Sequence, residues 1–261
     1  MAAGSARSWR VGPSTTASAF TAEQYAHPYP DGIQEHYWTF ARNRIVARRL
    51  EQVLGPARSG RVLDIGCGRG ITVDYLRQQG FDAWGCEVAR PEPITRAVEP
   101  YLHLETDAFT LDDATRGSVG TILLLDVLEH LEDPTAFLLE CRDRFTACTN
   151  VLVTLPARME LWSNYDEYYG HFKRFDRQSL DAMVPRDAFE VVRLNYFFRL
   201  LYPPARLLSA LRRPRTTEVS APEPGRRWMH HLIGRVFDLE ERVLPGKLAG
   251  TSLLAVLRVR R

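Results

Sequence analysis

The hydrophobic and polar positions of this 261-residue chain fall into two rhythms. Short apolar runs bounded by turn residues mark strands, and longer stretches with apolar residues three or four apart mark helices. Val62, Leu63 and Ile65 form the first run, and Ile71 to Gln79 reads as the helix behind it. Later runs at Phe81–Cys86, Tyr101–Glu105, Thr121–Leu125, Asn150–Leu155, Ala188–Asn195 and Gly250–Arg258 predict six more strands. Helices are predicted over Ile33–Leu54, stopped by Gly55-Pro56, and from Pro134 to about Phe145. Two more are predicted over Arg177–Met183 and Trp228–Leu244, the second amphipathic, with Met229, Leu232, Ile233, Val236, Phe237 and Val243 on one side. Tyr196–Leu211 is Leu-rich, broken by Pro203-Pro204, and reads as a helical flap. The Arg- and Pro-rich stretch 212–227 after it reads as a mobile connection.

Strands alternating with helices predict an α/β fold with a mostly parallel sheet. Residues 1–24 lack apolar periodicity and read as a disordered tail. Residues 25–60 are expected to form an N-terminal cap helix region. Residues 61–261 are expected to form the core, with a lid over 156–176 and a helical insertion over 196–245.

The candidate chemistry sits at the end of the first strand, in Asp64-Ile65-Gly66-Cys67-Gly68-Arg69-Gly70. Glycines there let the backbone take φ > 0 and pass close to a ligand. A dinucleotide fingerprint would space them Gly-x-Gly-x-x-Gly, with pyrophosphate on the helix N-terminus. Here they fall at 66, 68 and 70, position 71 is Ile, and an acid precedes them. That acid would repel a pyrophosphate but could accept bonds from a cationic ligand. Glu87 lies about twenty residues on, at the end of the second strand, where a carboxylate can accept both hydroxyls of a ribose.

The pattern Asp-x-Gly-x-Gly-x-Gly resembles motif I of class I S-adenosylmethionine methyltransferases. The segment Asp126-Val127-Leu128-Glu129-His130-Leu131-Glu132-Asp133-Pro134 resembles the motif after the fourth strand of the small-molecule members. The segment Pro156 to Asp176, with Leu161-Trp162, Asp166-Glu167 and Gly170-His171-Phe172-Lys173-Arg174-Phe175, is similar to one in bacterial enzymes of the ubiquinone-biosynthesis type. Lys173 and Phe175 stand where that pattern often has Arg and Tyr. The resemblance covers about Ile33 to Arg258. It implies a Rossmann-like, seven-stranded, mostly parallel sheet with helices on both faces. It also implies a cap helix over the cleft, a lid after strand 5, and a last strand antiparallel at or near the sheet edge.

The same resemblance implies S-adenosyl-L-methionine as cofactor, with S-adenosyl-L-homocysteine as product. It assigns Asp64, Gly66, Cys67, Gly68 and Gly70 to the methionine part and Glu87 to the ribose. Asp107 and Ala108 fall by the adenine, although a turn-forming role suits Asp107 nearly as well. Asp126 and Leu128 border the cleft, and Glu129 faces it, if only through its backbone. For transfer to oxygen a general base helps, and His is suited by its unperturbed pKa near 6.5. His130 and His171 compete for the role; each has a structural alternative, capping the next helix for His130 and pinning the lid for His171. Tyr37, Trp162, Tyr165, Asp166, Glu167 and Tyr169 are the candidate acceptor-binding residues, with core packing the alternative for Tyr37. No acid/His spacing matches a zinc motif, so no metal site is expected, although magnesium ligands leave little sequence trace.

Composition narrows the partners. Apolar content is 45% and charged content 25%, ordinary for a soluble domain. The net charge is only +2 but unevenly spread: from Glu190 onward there are 14 Lys/Arg against 6 Asp/Glu, leaving 20 against 26 elsewhere. A basic C-terminal part admits a nucleic-acid substrate, but no base-flipping motif or RNA-binding module accompanies it. Phe197–Tyr202, the Arg-rich stretch and the Trp228 helix could rest on anionic lipid, but burying one another over the sheet is the preferred expectation. Four cysteines without a Cys-x-x-Cys pair read as reduced thiols of a cytoplasmic protein. The expected function is therefore a methyltransferase acting on a small-molecule acceptor, most simply at oxygen in a biosynthetic pathway, its oligomeric state open. Transfer to carbon or nitrogen, or a non-catalytic cofactor-binding subunit, are the alternatives.

Overall fold

A computed structural model describes residues 29–55 and 58–261; the expected N-terminal tail lies outside the described residues. Seven strands form one sheet: β1 Arg61–Ile65, β2 Ala83–Glu87, β3 Leu102–Leu104, β4 Val119–Leu125, β5 Asn150–Pro156, β6 Phe189–Phe197 and β7 Ser252–Val259. Their order is β3-β2-β1-β4-β5-β7-β6. Strands β1 to β5 pair in parallel, and β7 runs antiparallel to both β5 and β6. The last strand thus lies one place in from the edge, which β6 occupies.

Side chains alternate across each strand, so every buried strand supplies two cores. On one face Leu63, Ile65, Ile122, Leu124, Val151 and Val153 pack under helices α4 Pro134–Arg144 and α6 Arg177–Met183. On the other, Val62, Leu123, Leu125 and Leu152 pack under α1 Tyr37–Leu54 and α2 Ile71–Gln78. The expected seven-stranded, mostly parallel sheet with helices on both faces is the observed fold. Short helices α3 Asp113–Ser118 and α5 Asn164–Tyr168 complete this part; neither has the length to show periodicity in sequence.

Four sequence-based expectations are corrected. The helix over Ile33–Leu54 is divided: a 3-10 turn, Ile33–Glu35, precedes α1, and His36 between them is extended and accepts a bond from Trp38 N–H. The insertion between β6 and β7 starts later than residue 196, because Tyr196 and Phe197 still pair with Leu253 and Ser252. Pro203-Pro204 do not interrupt its first helix, α7 Tyr202–Ala210; they occupy the opening turn, where backbone N–H groups have no partner to lose.

The fourth correction concerns the last helix, α8 Arg227–Val243. Periodicity places its apolar side inward. Phe237 is buried, but Leu232, Val236, Leu239 and Val243 are exposed, while Asp238, Glu240 and Glu241 are buried. The acids turn inward because basic partners await them. Arg44, Arg48 and Arg49 of α1 pair with Asp238 and Glu241, and Arg199 pairs with Glu240. Gly234 lets the helices approach closely; a Cβ there would stand 2.6 Å from the Phe40 ring and 3.1 Å from the Tyr37 carbonyl.

Candidate functional site

The site gathers at the carboxyl ends of β1, β2, β4 and β5, where an open α/β sheet leaves a crevice. Gly66, Gly68 and Gly70 all have positive φ, as their spacing predicts. The turn is closed on its flanks and open in its middle. A Cβ on Gly66 would stand 2.9 Å from Val127, and one on Gly70 2.9 Å from Leu102, whereas among the described residues nothing lies within 4 Å of one on Gly68. Cys67 turns its sulfur onto Gly85 of β2, within 2.6 Å of where a Cβ would be. Its part in the cleft falls to its main chain.

Asp64 is buried, and its Oδ1 has no hydrogen-bond partner among the described residues. Desolvation pushes its pKa from 3.8 to about 7; the Arg42 charge opposes the shift, and Glu87 and Asp126 add to it. A buried acid with a spare acceptor oxygen beside an open backbone turn has the chemistry to accept from a cationic donor. Glu87, also buried, accepts from Gly68 N–H at 3.0 Å and Ala89 N–H at 3.3 Å, which anchors the turn to the end of β2. Asp107 caps the turn Ala108–Thr110 by accepting from Phe109 N–H at 2.9 Å, the local role its sequence context equally suggested. Ala108 is buried beside it. Leu128 packs wholly into the core, so only its main chain borders the crevice.

Asp126 sits just past β4 with φ 58°, a left-handed conformation that an acid tolerates better than most residues. Its Oδ2 accepts from Arg42 Nη1 at 2.6 Å. Arg42 comes from α1, where it also donates to Thr72 and lies over the Trp38 ring. Its helical periodicity carries no sign of this role. Tyr29 likewise has no sequence signal. Its carbonyl accepts from Arg69 of the glycine turn at 2.6 Å, so the segment before α1 is tied onto that turn. Desolvation raises its phenol to about 12; Arg42 opposes the rise, and Asp126, Glu129 and Glu87 add to it. The phenol therefore belongs to the same group of charges.

The segment after β5 forms a closed loop. Arg158 N–H donates to Phe175 carbonyl and Phe175 N–H to Pro156 carbonyl, which brings its two ends together. Within it, α5 starts with a capping box of Ser163 and Asp166. Phe172 N–H donates to the Glu129 carbonyl at 2.8 Å and ties the loop to the segment after β4. This bond brings His130 and His171 face to edge, ring centroids 4.7 Å apart.

The two histidines have different surroundings. His171 Nδ1 lies 2.8 Å from Asp166 Oδ1, which also accepts from Arg174 Nε at 2.8 Å. Burial opposes the charge of Asp166, but the bonds from His171 and the Arg174 charge outweigh it and hold its pKa near 2. Asp166, expected among the acceptor-binding residues, is fully buried and bonded to Ser163, His171 and Arg174. His130 is pushed down to about 3 by desolvation and then by His171, against bonds to the Tyr169 and Gly170 main chain, and so stays neutral. Glu129, buried with Oε2 unpartnered, is raised well above the carboxylate range by desolvation and by Asp126. Glu129, His130 and His171 each offer a ligand atom, all within 4.8 Å of one another, a cation-sized cluster that sequence spacing did not reveal.

The other acceptor-binding candidates divide. Tyr165 is half-buried, its ring 6.4 Å from His171 and stacked under the Arg215 guanidinium at 5.0 Å. Tyr37 is half-buried at the start of α1, packed by His230 and Phe237, with Arg215 among the charges its phenol feels. Tyr169 is buried with its hydroxyl on the Thr217 carbonyl at 2.8 Å, and Trp162 Nε1 donates to the exposed Glu167 at 3.4 Å. Both bonds are internal to the protein, the first between the loop and the Arg-rich stretch and the second within the loop.

Arg215 is the third site residue that sequence reasoning did not find. Asn164, the first residue of α5, accepts from Arg215 N–H at 2.8 Å and donates to its carbonyl at 2.9 Å. That pair pins the Arg-rich stretch, expected as a mobile connection, to the loop at this point. The side chain remains solvent-accessible while walled by protein. Desolvation and then Arg174 lower its pKa, against Tyr165 and Asp166. Among the described residues no acid lies within ion-pair distance of it.

A doubly wound sheet with an antiparallel β7 and an acid-led glycine turn defines a class I methyltransferase scaffold. The chain belongs to the methyltransferase domain family, which matches residues 37–194. Ubiquinone biosynthesis O-methyltransferase of Cereibacter sphaeroides (strain ATCC 17025 / ATH 2.4.3) is 33% identical over 98 residues, 34% of this chain and 38% of that protein. The enzyme of the same name from Paracidovorax citrulli is 27% identical over 95 residues, 34% of this chain and 40% of its own. The matched part thus spans about two fifths of those curated relatives. Among solved structures, the plantazolicin methyltransferase BpumL, in complex with a triazolic desmethylPZN analog and SAH, superposes with TM-score 0.51. It shares 12% sequence identity, over 92% of this chain and 90% of that one.

Proposed function

We propose that this chain is an S-adenosylmethionine-dependent methyltransferase acting on the hydroxyl of a small-molecule acceptor. The observation that carries the reading is the buried, unpartnered Asp64 oxygen beside the open Gly68 backbone. Asp64 would accept from the cationic amino group of the cofactor's methionine part, and Glu87 would border its ribose. When bound, the cofactor supplies a methyl group already activated on a sulfonium. What remains for the protein is alignment of the acceptor and removal of its proton. His171 suits the proton removal, because Asp166 holds Nδ1 and leaves Nε2 as the nitrogen that would take the proton. His130, held neutral and bonded to the main chain, supports the ring geometry. The curated relatives that act on oxygen favour the same atom.

A second reading rests on the Glu129–His130–His171 cluster. A divalent cation held there would bind the acceptor oxygen and lower its pKa, with Asp166 orienting a ligand histidine.

The test is a His171→Ala variant, assayed for S-adenosylhomocysteine affinity and for turnover of a catechol acceptor, before and after chelator dialysis. The base reading expects unchanged affinity, turnover down by roughly 100-fold or more, and wild-type activity indifferent to the chelator. Chelator-sensitive activity restored by magnesium would select the second reading. No affinity for S-adenosylhomocysteine in the wild type would overturn both.

A further inference from the structure

Helix α8 presents to solvent a face that a soluble helix ordinarily buries. Trp228, Met229, Leu232, Val236, Leu239 and Val243 are between 37% and 68% exposed. At 100° per residue they fall within an arc of roughly 100° running the length of the helix. A single exposed leucine means nothing, but a contiguous stripe of this kind marks an interaction surface. The short helix α7 adds Leu207, Leu208 and Leu211, each about half exposed.

The charges say what this surface meets. All three acids of α8 are turned inward onto arginines of the protein. Across residues 200–250 nine Arg and Lys side chains are exposed, against only Glu218 and Glu223. Arg235 borders the stripe on α8, and Arg227 stands at the head of the helix. Apolar stripe, basic margin and terminal tryptophan are the features of a helix that lies in a membrane interface. A self-associating surface would place this one-signed charge against itself, whereas an anionic lipid surface complements it. The helix is not a span: no helix among the described residues is long and apolar enough to cross a membrane. It also lies outside the family-matched residues 37–194.

We infer that the exposed face of α8, with Arg227 and Arg235 at its margin, is a docking surface for an anionic lipid bilayer. The consequence for the site follows from packing. Helix α8 rests on α1 through Phe237, Gly234 and the Arg48 and Arg49 pairs, and α1 carries Arg42 to Asp126. The lipid surface would therefore lie about one helix layer, roughly 10 Å, from the helix that closes the crevice.

The test is co-sedimentation of the full chain with vesicles of phosphatidylcholine alone and of phosphatidylcholine mixed with phosphatidylglycerol. Binding is expected to the mixed vesicles only, and to fall as salt is raised. The triple variant Leu232→Glu, Val236→Glu, Leu239→Glu should bind at least about tenfold more weakly, with its melting temperature and S-adenosylhomocysteine affinity retained. The double variant Arg227→Glu, Arg235→Glu, which leaves the apolar residues in place, should show the same loss if the triple variant fails to fold. No binding at low salt, or equal binding by folded variants, overturns the inference. So does a soluble dimer that the triple variant dissociates, with no vesicle binding, since a second copy would then be the occupant.

Discussion

Arg42 Nη1 lies 2.6 Å from Asp126 Oδ2, joining the first part of α1 to the end of β4 across 84 residues of sequence. Arg42 is nearly buried and Asp126 about one quarter exposed, so the pair is only partly screened. Replacement by Arg42→Ala leaves Asp126 beside Asp64 and Glu87 without its counter-charge. The expected cost is about 2 kcal/mol of stability, read by denaturant unfolding, with weaker S-adenosylhomocysteine binding by calorimetry. An unchanged melting curve and affinity would remove Arg42 from the site.

Asp64 predicts an opposition between stability and binding. Its folded pKa is raised to about 7, so between its ordinary value near 4 and 7 the folded chain holds a proton that the unfolded chain has lost. Its contribution to stability therefore falls as pH rises through that window and levels off above it. Asp64→Asn should flatten this part of the profile and leave the ligand-free protein at pH 8 as stable as wild type or more so. It should also weaken S-adenosylhomocysteine by roughly tenfold through loss of the charged acceptor. Melting scans of both proteins from pH 5 to pH 8 (a range chosen to span the window, roughly three units) are the check; parallel curves would contradict it.

Gly68 separates folding from binding. Its φ of 53° costs an alanine roughly 1–2 kcal/mol, and nothing in the fold meets the new methyl group. Gly68→Ala should lower the melting temperature by a few degrees yet abolish measurable S-adenosylhomocysteine binding, because the methyl group fills space meant for the ligand. Retained binding would place the ligand elsewhere.

Arg215 predicts acceptor preference. A guanidinium over Tyr165, with no acid among the described residues at ion-pair distance, suits an acceptor bearing an anion or an electron-rich ring. Arg215→Gln should raise KM for such an acceptor by about tenfold and leave kcat and S-adenosylhomocysteine affinity within error. A fall in kcat alone would mean that the residue positions the loop.

Much of the fold is legible in local sequence. The apolar runs are strands because their residues are buried on both faces, and their order in the chain already implies a parallel sheet. The boundary errors have two causes: Tyr196–Phe197 are decided by their distant partners Leu253 and Ser252, and His36 by a local bond from Trp38 N–H that apolar periodicity does not register. Asp166 is legible as an important acid but not in its role, since burial and its bonds to His171 and Arg174 come from the folded loop.

The sequence by itself determined the glycine turn, its acid and Glu87, because each works through the backbone conformation of its own neighbourhood or a fixed strand-to-strand offset. It also determined that α8 has an apolar and a charged side. Which side faces the protein was decided only in three dimensions. Periodicity measures the contrast between faces, whereas the buried face is the one whose partners offset its desolvation, and here Arg48 and Arg49 on α1 did so for Asp238 and Glu241. The same holds for Arg42 with Asp126 and for His130 with His171. Pairs so far apart in the chain meet only through the packing of the elements that carry them.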